Sequence, residues 1–64
     1  MPSTLSENLK KLRTAKGLGQ KELASYLGVD RSTYTKYESG DNTPDYEKLL
    51  KLSEFFGVST DYLL

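Results

Sequence analysis

The sequence predicts an all-α fold, a compact bundle of five short helices that contains a helix-turn-helix. Three observations lead to this prediction. Apolar residues recur three and four positions apart, glycines or turn residues separate these stretches at short intervals, and no stretch reads as a strand. With 64 residues, the chain is expected to form one domain over 1–64, because a chain of this length holds one hydrophobic core.

The first helix is predicted over 5–16. Leu5, Leu9 and Leu12 are spaced at i, i+4 and i+7, so they form one apolar stripe along the helix. Gly17 follows, and glycine is the residue best suited to end a helix. The first helix therefore offers one face to a core.

The second and third helices, over 20–27 and 31–39, form the predicted helix-turn-helix. Leu23 and Leu27 lie four positions apart and share one face. Gly28 follows directly, and it takes the left-handed conformation that ends a helix more readily than any other residue. In this motif the second helix of the pair lies in the DNA major groove, whereas an ordinary helical hairpin is the plainer interpretation.

Four further features favour the helix-turn-helix over the plain hairpin. Ala24 is small enough for a close helix crossing, Val29 supplies an apolar plug, and Asp30 is a good N-cap. Tyr34 and Tyr37 are three positions apart and are expected to face inward. The outward face of the third helix is then entirely polar: Arg31, Ser32, Thr35 and Lys36.

The fourth and fifth helices are predicted over 46–56 and 60–64. Pro44 excludes helix for the residue before it, and Asp45 and Ser59 are suited to cap the two helices. The predicted core joins the apolar stripes of all five helices and consists of Leu9, Leu12, Leu23, Ala24, Leu27, Val29, Tyr34, Leu49, Leu52, Phe56, Val58 and Leu63.

Composition excludes several classes of function. The chain has no cysteine and no histidine, which rules out disulfides, thiolate metal sites and histidine-based catalysis. A helical domain of this size leaves little room for a pocket, and no general base for neutral pH is evident. We therefore expect no enzyme, no catalytic or metal-binding residues and no cofactor. No apolar run approaches the roughly 18 residues of a membrane span, so a cytoplasmic protein is the default expectation.

Charge is distributed unevenly, although the formal net charge is zero. Residues 1–37 carry seven basic and three acidic side chains, a net +4, and residues 38–64 carry two basic and six acidic, a net −4. Such a chain can present a basic face to phosphates while its other side stays acidic. The alternative is that these charges only solvate the helix exteriors.

Five segments together resemble the Cro/Xre-type helix-turn-helix family, which includes phage repressors and many bacterial regulators. They are LGQKELA at 18–24, LGV at 27–29, RST at 31–33, YESG at 37–40 and GVSTDYLL at 57–64. The resemblance implies a lambda-repressor-like domain of five helices that binds double-stranded DNA. It further implies a transcriptional regulator, in particular a repressor, that acts as a homodimer on a palindromic operator.

The resemblance also implies roles for individual residues. Arg31 is suited to bidentate contact with guanine, and the base-contacting residues are expected to be Arg31, Ser32, Thr35 and Lys36. Gln20 and Lys21 stand at a helix N-terminus, which favours an anion. The resemblance implies that Gln20 contacts a phosphate and also braces the third helix. The expected phosphate contacts are Gln20, Lys21, Thr33, Asn42 and Thr43, the expected ion pair is Arg13 with Glu38, and the dimer-contact candidates are Phe55, Tyr62 and Leu64.

Three departures from the family pattern qualify these expectations. Gly19 stands where relatives often have a capping Ser or Thr, and Asp41 replaces a cation in the loop, so modest DNA affinity is expected. Tyr34 and Tyr37 replace aliphatic residues, and their hydroxyls are expected to reach water, a partner or DNA. The alternative function is a protein-interaction module on the same fold, such as an antitoxin-like or anti-repressor-binding domain.

Overall fold

The computed structural model describes residues 4–64, which form five helices and no strand. They are α1 (Thr4–Ala15), α2 (Gln20–Leu27), α3 (Arg31–Ser39), α4 (Tyr46–Phe56) and α5 (Thr60–Leu63). The predicted fold class is confirmed, and α2, α3 and α4 have the predicted bounds. The first helix lies one residue earlier than predicted at both ends, and the last ends one residue sooner. The first three residues of the predicted domain lie outside the described residues.

The core draws on every helix. Leu9, Tyr34, Leu52 and Leu63 have no exposed surface, and they come from α1, α3, α4 and α5. Leu5 and Tyr37 join the predicted members as buried residues, whereas three predicted members are only partly buried and pack against the cluster: Leu12, Val29 and Val58. Leu12 lies in the last turn of α1, and Val29 and Val58 lie beyond the ends of α2 and α4, so these three residues pack at the edges of the core.

The third helix packs against both α1 and α2, while α5 packs against α1 and α4. Tyr34 and Tyr37 provide the buried face of α3, and their rings meet edge to face with centroids 6.1 Å apart. An edge-to-face pair is a favoured arrangement of aromatic rings. The opposite face of α3 is thereby left at the surface.

Gly28 sets the turn between α2 and α3. Its φ of +75° lies in the left-handed region, and the next N–H, that of Val29, donates to the carbonyl of Ala24 at 3.0 Å. This bond is the one that defines the Schellman type of helix end. The predicted glycine-ended helix followed by an apolar plug is therefore confirmed.

The predicted N-caps behave differently from one another. The side chains of Asp45 and Ser59 accept hydrogen bonds from the N–H groups of Lys48 and Tyr62 at 2.9 and 3.0 Å. Asp30 occupies the N-cap position of α3 in extended backbone, but its side chain makes no capping hydrogen bond. The expectation for Asp30 was therefore wrong in this respect. The start of α3 is exposed, so water can hydrate its free N–H groups.

Asn8 connects the first helix to the last. Its side-chain amide donates to the backbone carbonyls of Tyr62 at 2.9 Å and Leu63 at 3.2 Å. Isolated helices shorter than about 12 residues are marginal in water, and α5 has only four residues. This pair of hydrogen bonds, together with buried Leu63, therefore keeps α5 in place.

Candidate nucleic-acid interface

The outward face of α3 forms one continuous polar surface. Arg31, Ser32, Thr35 and Lys36 are all exposed and line the same shallow concavity. Helical periodicity explains this arrangement, since positions one, two, five and six of α3 alternate with buried Tyr34 and Tyr37. The four predicted base-contacting residues therefore share one accessible face.

A second shallow concavity adjoins this surface. Its lining comes from α1, α2 and α3, and Thr35 lines both concavities. The residues of the second concavity are Lys10, Gln20, Thr35, Glu38 and Ser39. The start of α2 and the outward face of α3 thus meet at Thr35.

An ion pair between Arg13 and Glu38 ties α1 to α3. Arg13 Nε donates to Glu38 Oε2 at 2.6 Å, and Arg13 Nη2 donates to Glu38 Oε1 at 3.2 Å. Arg13 Nη1 donates to the carbonyl of Leu18 at 2.7 Å, which adds the connection between α1 and α2. Both charged side chains are largely buried, with 13% and 5% of their surface exposed. The pair implied by the resemblance is thus present and shielded from water.

Gln20 extends this network to the outward face of α3. Its Nε2 donates to Glu38 Oε1 at 3.1 Å, and its Oε1 accepts from the hydroxyl of Thr35 at 3.1 Å. The oxygen of the same hydroxyl lies 2.9 Å from the backbone carbonyl oxygen of Arg31, which is a second possible acceptor for its hydrogen. Hydrogen bonds therefore run without a break from α1 through Glu38 and Gln20 to Thr35.

The ion pair shifts the pKa values of its members. The hydrogen bond with Glu38 raises the pKa of Arg13. Burial alone would raise the pKa of Glu38, but the hydrogen bond from Arg13 and the neighbouring Tyr34 and Gln20 together lower it. Glu38 is therefore a carboxylate at neutral pH.

Tyr34 lies beside this pair inside the core. Burial, followed by the nearby carboxylate of Glu38, raises the pKa of Tyr34 well above its ordinary range. Its hydroxyl is buried and has no hydrogen bond of standard geometry to any described residue. The hydroxyl was expected to reach water, a partner or DNA. It lies inside the core, where Tyr34 has no exposed surface, and the group it interacts with is Glu38 of the same chain.

The lowered pKa of Glu38 predicts a loss of stability in acid. The folded state binds a proton at Glu38 less readily than the unfolded state does, so the ion pair contributes fully above the ordinary pKa of 4.5. That contribution is lost as the pH falls below this value and passes through the folded-state pKa. Urea unfolding between pH 7 and pH 3 measures the loss.

The matched control for this measurement is Glu38→Gln, which has no carboxylate at this position. Its unfolding free energy should fall less steeply over the same pH range. Asp45, whose pKa is lowered by its bond to the backbone of Lys48, titrates in both proteins and cancels in the comparison. Parallel curves for the two proteins would contradict the prediction.

The comparisons with known proteins agree with this geometry. The family model described as Helix-turn-helix matches residues 9–63. The chain belongs to the Cro/Xre-type helix-turn-helix family. The SPbeta prophage-derived uncharacterized HTH-type transcriptional regulator YonR of Bacillus subtilis (strain 168) is 53% identical over 58 residues, covering 91% of this chain and 54% of that protein.

Solved structures of this helix-turn-helix family have the same architecture. A transcriptional regulator from Listeria innocua superposes with a TM-score of 0.93 at 36% identity, covering 100% of this chain and 60% of that one. The P22 c2 repressor in complex with synthetic operator 9T superposes with a TM-score of 0.87 at 30% identity, covering 94% and 91% of the two chains. The chain spans about half the length of the curated relatives that it matches.

The predicted phosphate contacts of this helix-turn-helix domain differ in accessibility. Lys21, Asn42 and Thr43 are exposed, whereas Gln20 and Thr33 are half-buried. The loop after α3 is held to its helix, because the N–H of Asn42 donates to the carbonyl of Lys36 at 3.2 Å. Within the loop, the N–H of Thr43 donates to Asn42 Oδ1 at 2.9 Å. The loop therefore has a defined conformation.

The three dimer-contact candidates of the helix-turn-helix domain are not equally accessible. Tyr62 and Leu64 are 51% and 60% exposed. Phe55 is half-buried and contacts Tyr26, with ring centroids 4.7 Å apart, and the ammonium group of Lys16 lies 5.8 Å from its centroid. Phe55 thus already has contacts within its own chain, while Tyr62 and Leu64 are available to a partner.

Sequence reasoning missed one connection of the helix-turn-helix domain, the bonds of Asn8 to α5. The bond between Gln20 and Thr35 agrees with the expectation that Gln20 braces the third helix. A polar residue near the start of a helix gives no sign of a partner 54 positions away, so Asn8 offered no signal. Residues 4–64 contain no group of three or more side chains that could hold a metal ion. No helix within that range has the length and apolar character needed to cross a membrane.

Proposed function

We propose that this chain is the sequence-specific DNA-binding domain of a transcriptional regulator, and that it acts as a repressor. The observation that carries the proposal is the exposed polar face of α3, on which Arg31, Ser32, Thr35 and Lys36 lie together. Relatives of the chain include proteins named as transcriptional regulators, and a similar structure is that of a repressor in complex with a synthetic operator.

In the proposed complex, α3 lies in the major groove, which is wide enough to admit a helix. Arg31 is at the first position of α3, where its guanidinium is suited to bidentate contact with guanine O6 and N7. Lys36 lies beyond Ser32 and Thr35 on the same face and contacts guanine or a phosphate. Recognition-helix residues near the N-terminus reach the base edges in this class of motif.

The start of α2 approaches the DNA backbone in this proposal. Its free N–H groups and helix dipole favour an anion, and exposed Lys21 adds a positive charge. Gln20 retains one N–H of its amide beyond the one given to Glu38. The full set of proposed phosphate contacts is Gln20, Lys21, Thr33, Asn42 and Thr43.

Two copies of the chain bind the proposed palindromic operator as a homodimer. Tyr62 and Leu64 support the dimer contact because they are large apolar residues left exposed near the end of the domain. Phe55, which is half-buried, is the third proposed member of this contact. Half-sites on the operator should then lie about 34–36 Å apart, one turn of the duplex, or a multiple of that distance.

The proposed role involves no catalysis and no cofactor, and its place is the cytoplasm of a bacterium, where the DNA lies. The DNA-binding role predicts salt dependence, because each phosphate contact releases counterions. Each contact adds about −0.9 to the slope of log affinity against log salt.

The experiment uses a duplex selected by the chain from a random library, with affinity measured by fluorescence anisotropy across a range of KCl concentrations. Lys21→Gln should reduce the magnitude of the slope by about 1. The matched control is Lys51→Gln, which removes an exposed lysine from α4, away from the proposed interface, and should leave the slope unchanged.

A weak interaction with DNA that does not vary with salt would contradict the proposal. If Lys21→Gln and Lys51→Gln reduce the salt slope equally, the result would contradict the placement of the start of α2 at the DNA backbone. The first result would favour the protein-interaction module, the alternative function on this fold. The second would leave DNA binding in place but assign it to another surface of the domain.

A further inference from the structure

Thr35 stands where the polar face of α3 meets the hydrogen bonds that come from α2. A threonine hydroxyl has one hydrogen to donate and two lone pairs that accept. The hydroxyl oxygen of Thr35 lies 3.1 Å from Gln20 Oε1 and 2.9 Å from the carbonyl oxygen of Arg31. Both of those oxygens can only accept. The single hydrogen of Thr35 is therefore used inside the protein, whichever of the two acceptors it faces.

The orientation of Gln20 follows from its other neighbour. Its amide lies 3.1 Å from Glu38 Oε1, and a carboxylate oxygen requires a donor there. The amide nitrogen must face Glu38, so the amide oxygen must face Thr35. Glu38 is in turn fixed by two hydrogen bonds from Arg13. A chain of donors and acceptors that starts on α1 thus presents the amide oxygen of Gln20, an acceptor, to the hydroxyl of Thr35. The hydroxyl hydrogen therefore stays within the protein, and a lone pair of the hydroxyl oxygen is left to accept from outside.

We infer that Thr35 determines specificity at one base pair by accepting a hydrogen bond from an exocyclic amino group, N6 of adenine or N4 of cytosine. This inference rests on the proposed function and names the chemistry that one residue of the interface recognises. Guanine and thymine present acceptors at the corresponding places in the major groove, O6 and O4. Two acceptors that face one another leave both without a partner, which disfavours guanine and thymine.

The first experiment compares three proteins on the selected duplex and on all its single-base-pair variants. The unsubstituted chain should prefer adenine or cytosine over thymine or guanine at one position by about three- to tenfold, the size expected of one neutral hydrogen bond. Thr35→Ser keeps the hydroxyl and should keep the preference. Thr35→Val keeps the shape and the methyl group but lacks the hydroxyl, and should reduce the preference to less than about twofold.

The second experiment removes the amino group from the DNA. The preferred adenine is replaced by purine, or the preferred cytosine by 2-pyrimidinone, with all other positions unchanged. The unsubstituted chain should lose about three- to tenfold in affinity, and Thr35→Val should lose almost none. Thermal unfolding of the three proteins shows whether each is folded at the temperature of the titrations.

Two results would overturn the inference while leaving the proposed function intact. One is a preference for guanine or thymine that disappears in Thr35→Val. The other is sequence-specific binding in which no base-pair preference depends on the Thr35 hydroxyl. Failure of the unsubstituted chain to select any duplex would overturn both the inference and the proposed function.

Discussion

Glu38→Ala should destabilise the domain by about 3 kcal/mol, because it leaves the charge of Arg13 buried without its partner. Only 13% of the Arg13 side chain is exposed, so water cannot replace the lost carboxylate fully. For a small domain this is a large part of the total stability, which starts at about 5 kcal/mol. The melting temperature should fall by about 12 °C or more, measurable by circular dichroism.

Two variants test whether this loss comes from the unpaired charge. Glu54→Ala removes an exposed carboxylate from α4 and should change stability by less than about 0.5 kcal/mol. The double variant Arg13→Met with Glu38→Leu removes both charges and should recover most of the stability lost in Glu38→Ala. A double variant as unstable as Glu38→Ala would show that the loss of stability arises from packing and not from the unpaired charge of Arg13.

Arg31→Ala should weaken binding to the selected operator by about 1–3 kcal/mol and relax the preference at one base pair. The guanidinium is exposed on the outward face of α3, so its removal leaves the core intact and the loss should appear in DNA binding alone. Affinities for the operator and its single-base-pair variants, together with a thermal unfolding curve, measure both effects.

Gln20→Ala provides the contrast with Arg31→Ala. A phosphate contact carries no direct sequence information. Gln20→Ala should therefore weaken binding to the operator and binding to its variants to a similar degree. If Arg31→Ala also weakens binding to every duplex equally, Arg31 contacts the DNA backbone and does not contact a base. If Gln20→Ala leaves affinity unchanged, Gln20 makes no backbone contact.

Much of the fold could be predicted from local signals in the sequence. The bounds of α2 and α3 follow from Gly28, which ends one helix in left-handed backbone, and from the leucine spacing before it. The exposed face of α3 follows from the inward spacing of Tyr34 and Tyr37. Hydrophobic periodicity and turn residues act over a few neighbouring positions, so these features of the fold can be predicted from the sequence alone.

The parts that were not predicted depend on how separate helices meet. Asp30 has the right residue type and position for a cap, yet the direction of its side chain depends on its surroundings. The hydroxyl of Tyr34 enters the core beside Glu38, which local spacing does not reveal. The resemblance implied that Gln20 braces α3, but it did not identify Thr35 as the partner. Thr35 lies 15 positions away, and only the crossing of α2 and α3 brings the two residues together.

The hydrogen bonds from Asn8 to Tyr62 and Leu63 have a consequence for assembly. A helix of four residues exists only while it is docked, so α5 should be lost whenever α1 separates from it. The exposed side chains of Tyr62 and Leu64 would then lose the positions that the proposed second copy requires. In that dimer, association and folding of each subunit would be linked, and dilution would lower the apparent melting temperature.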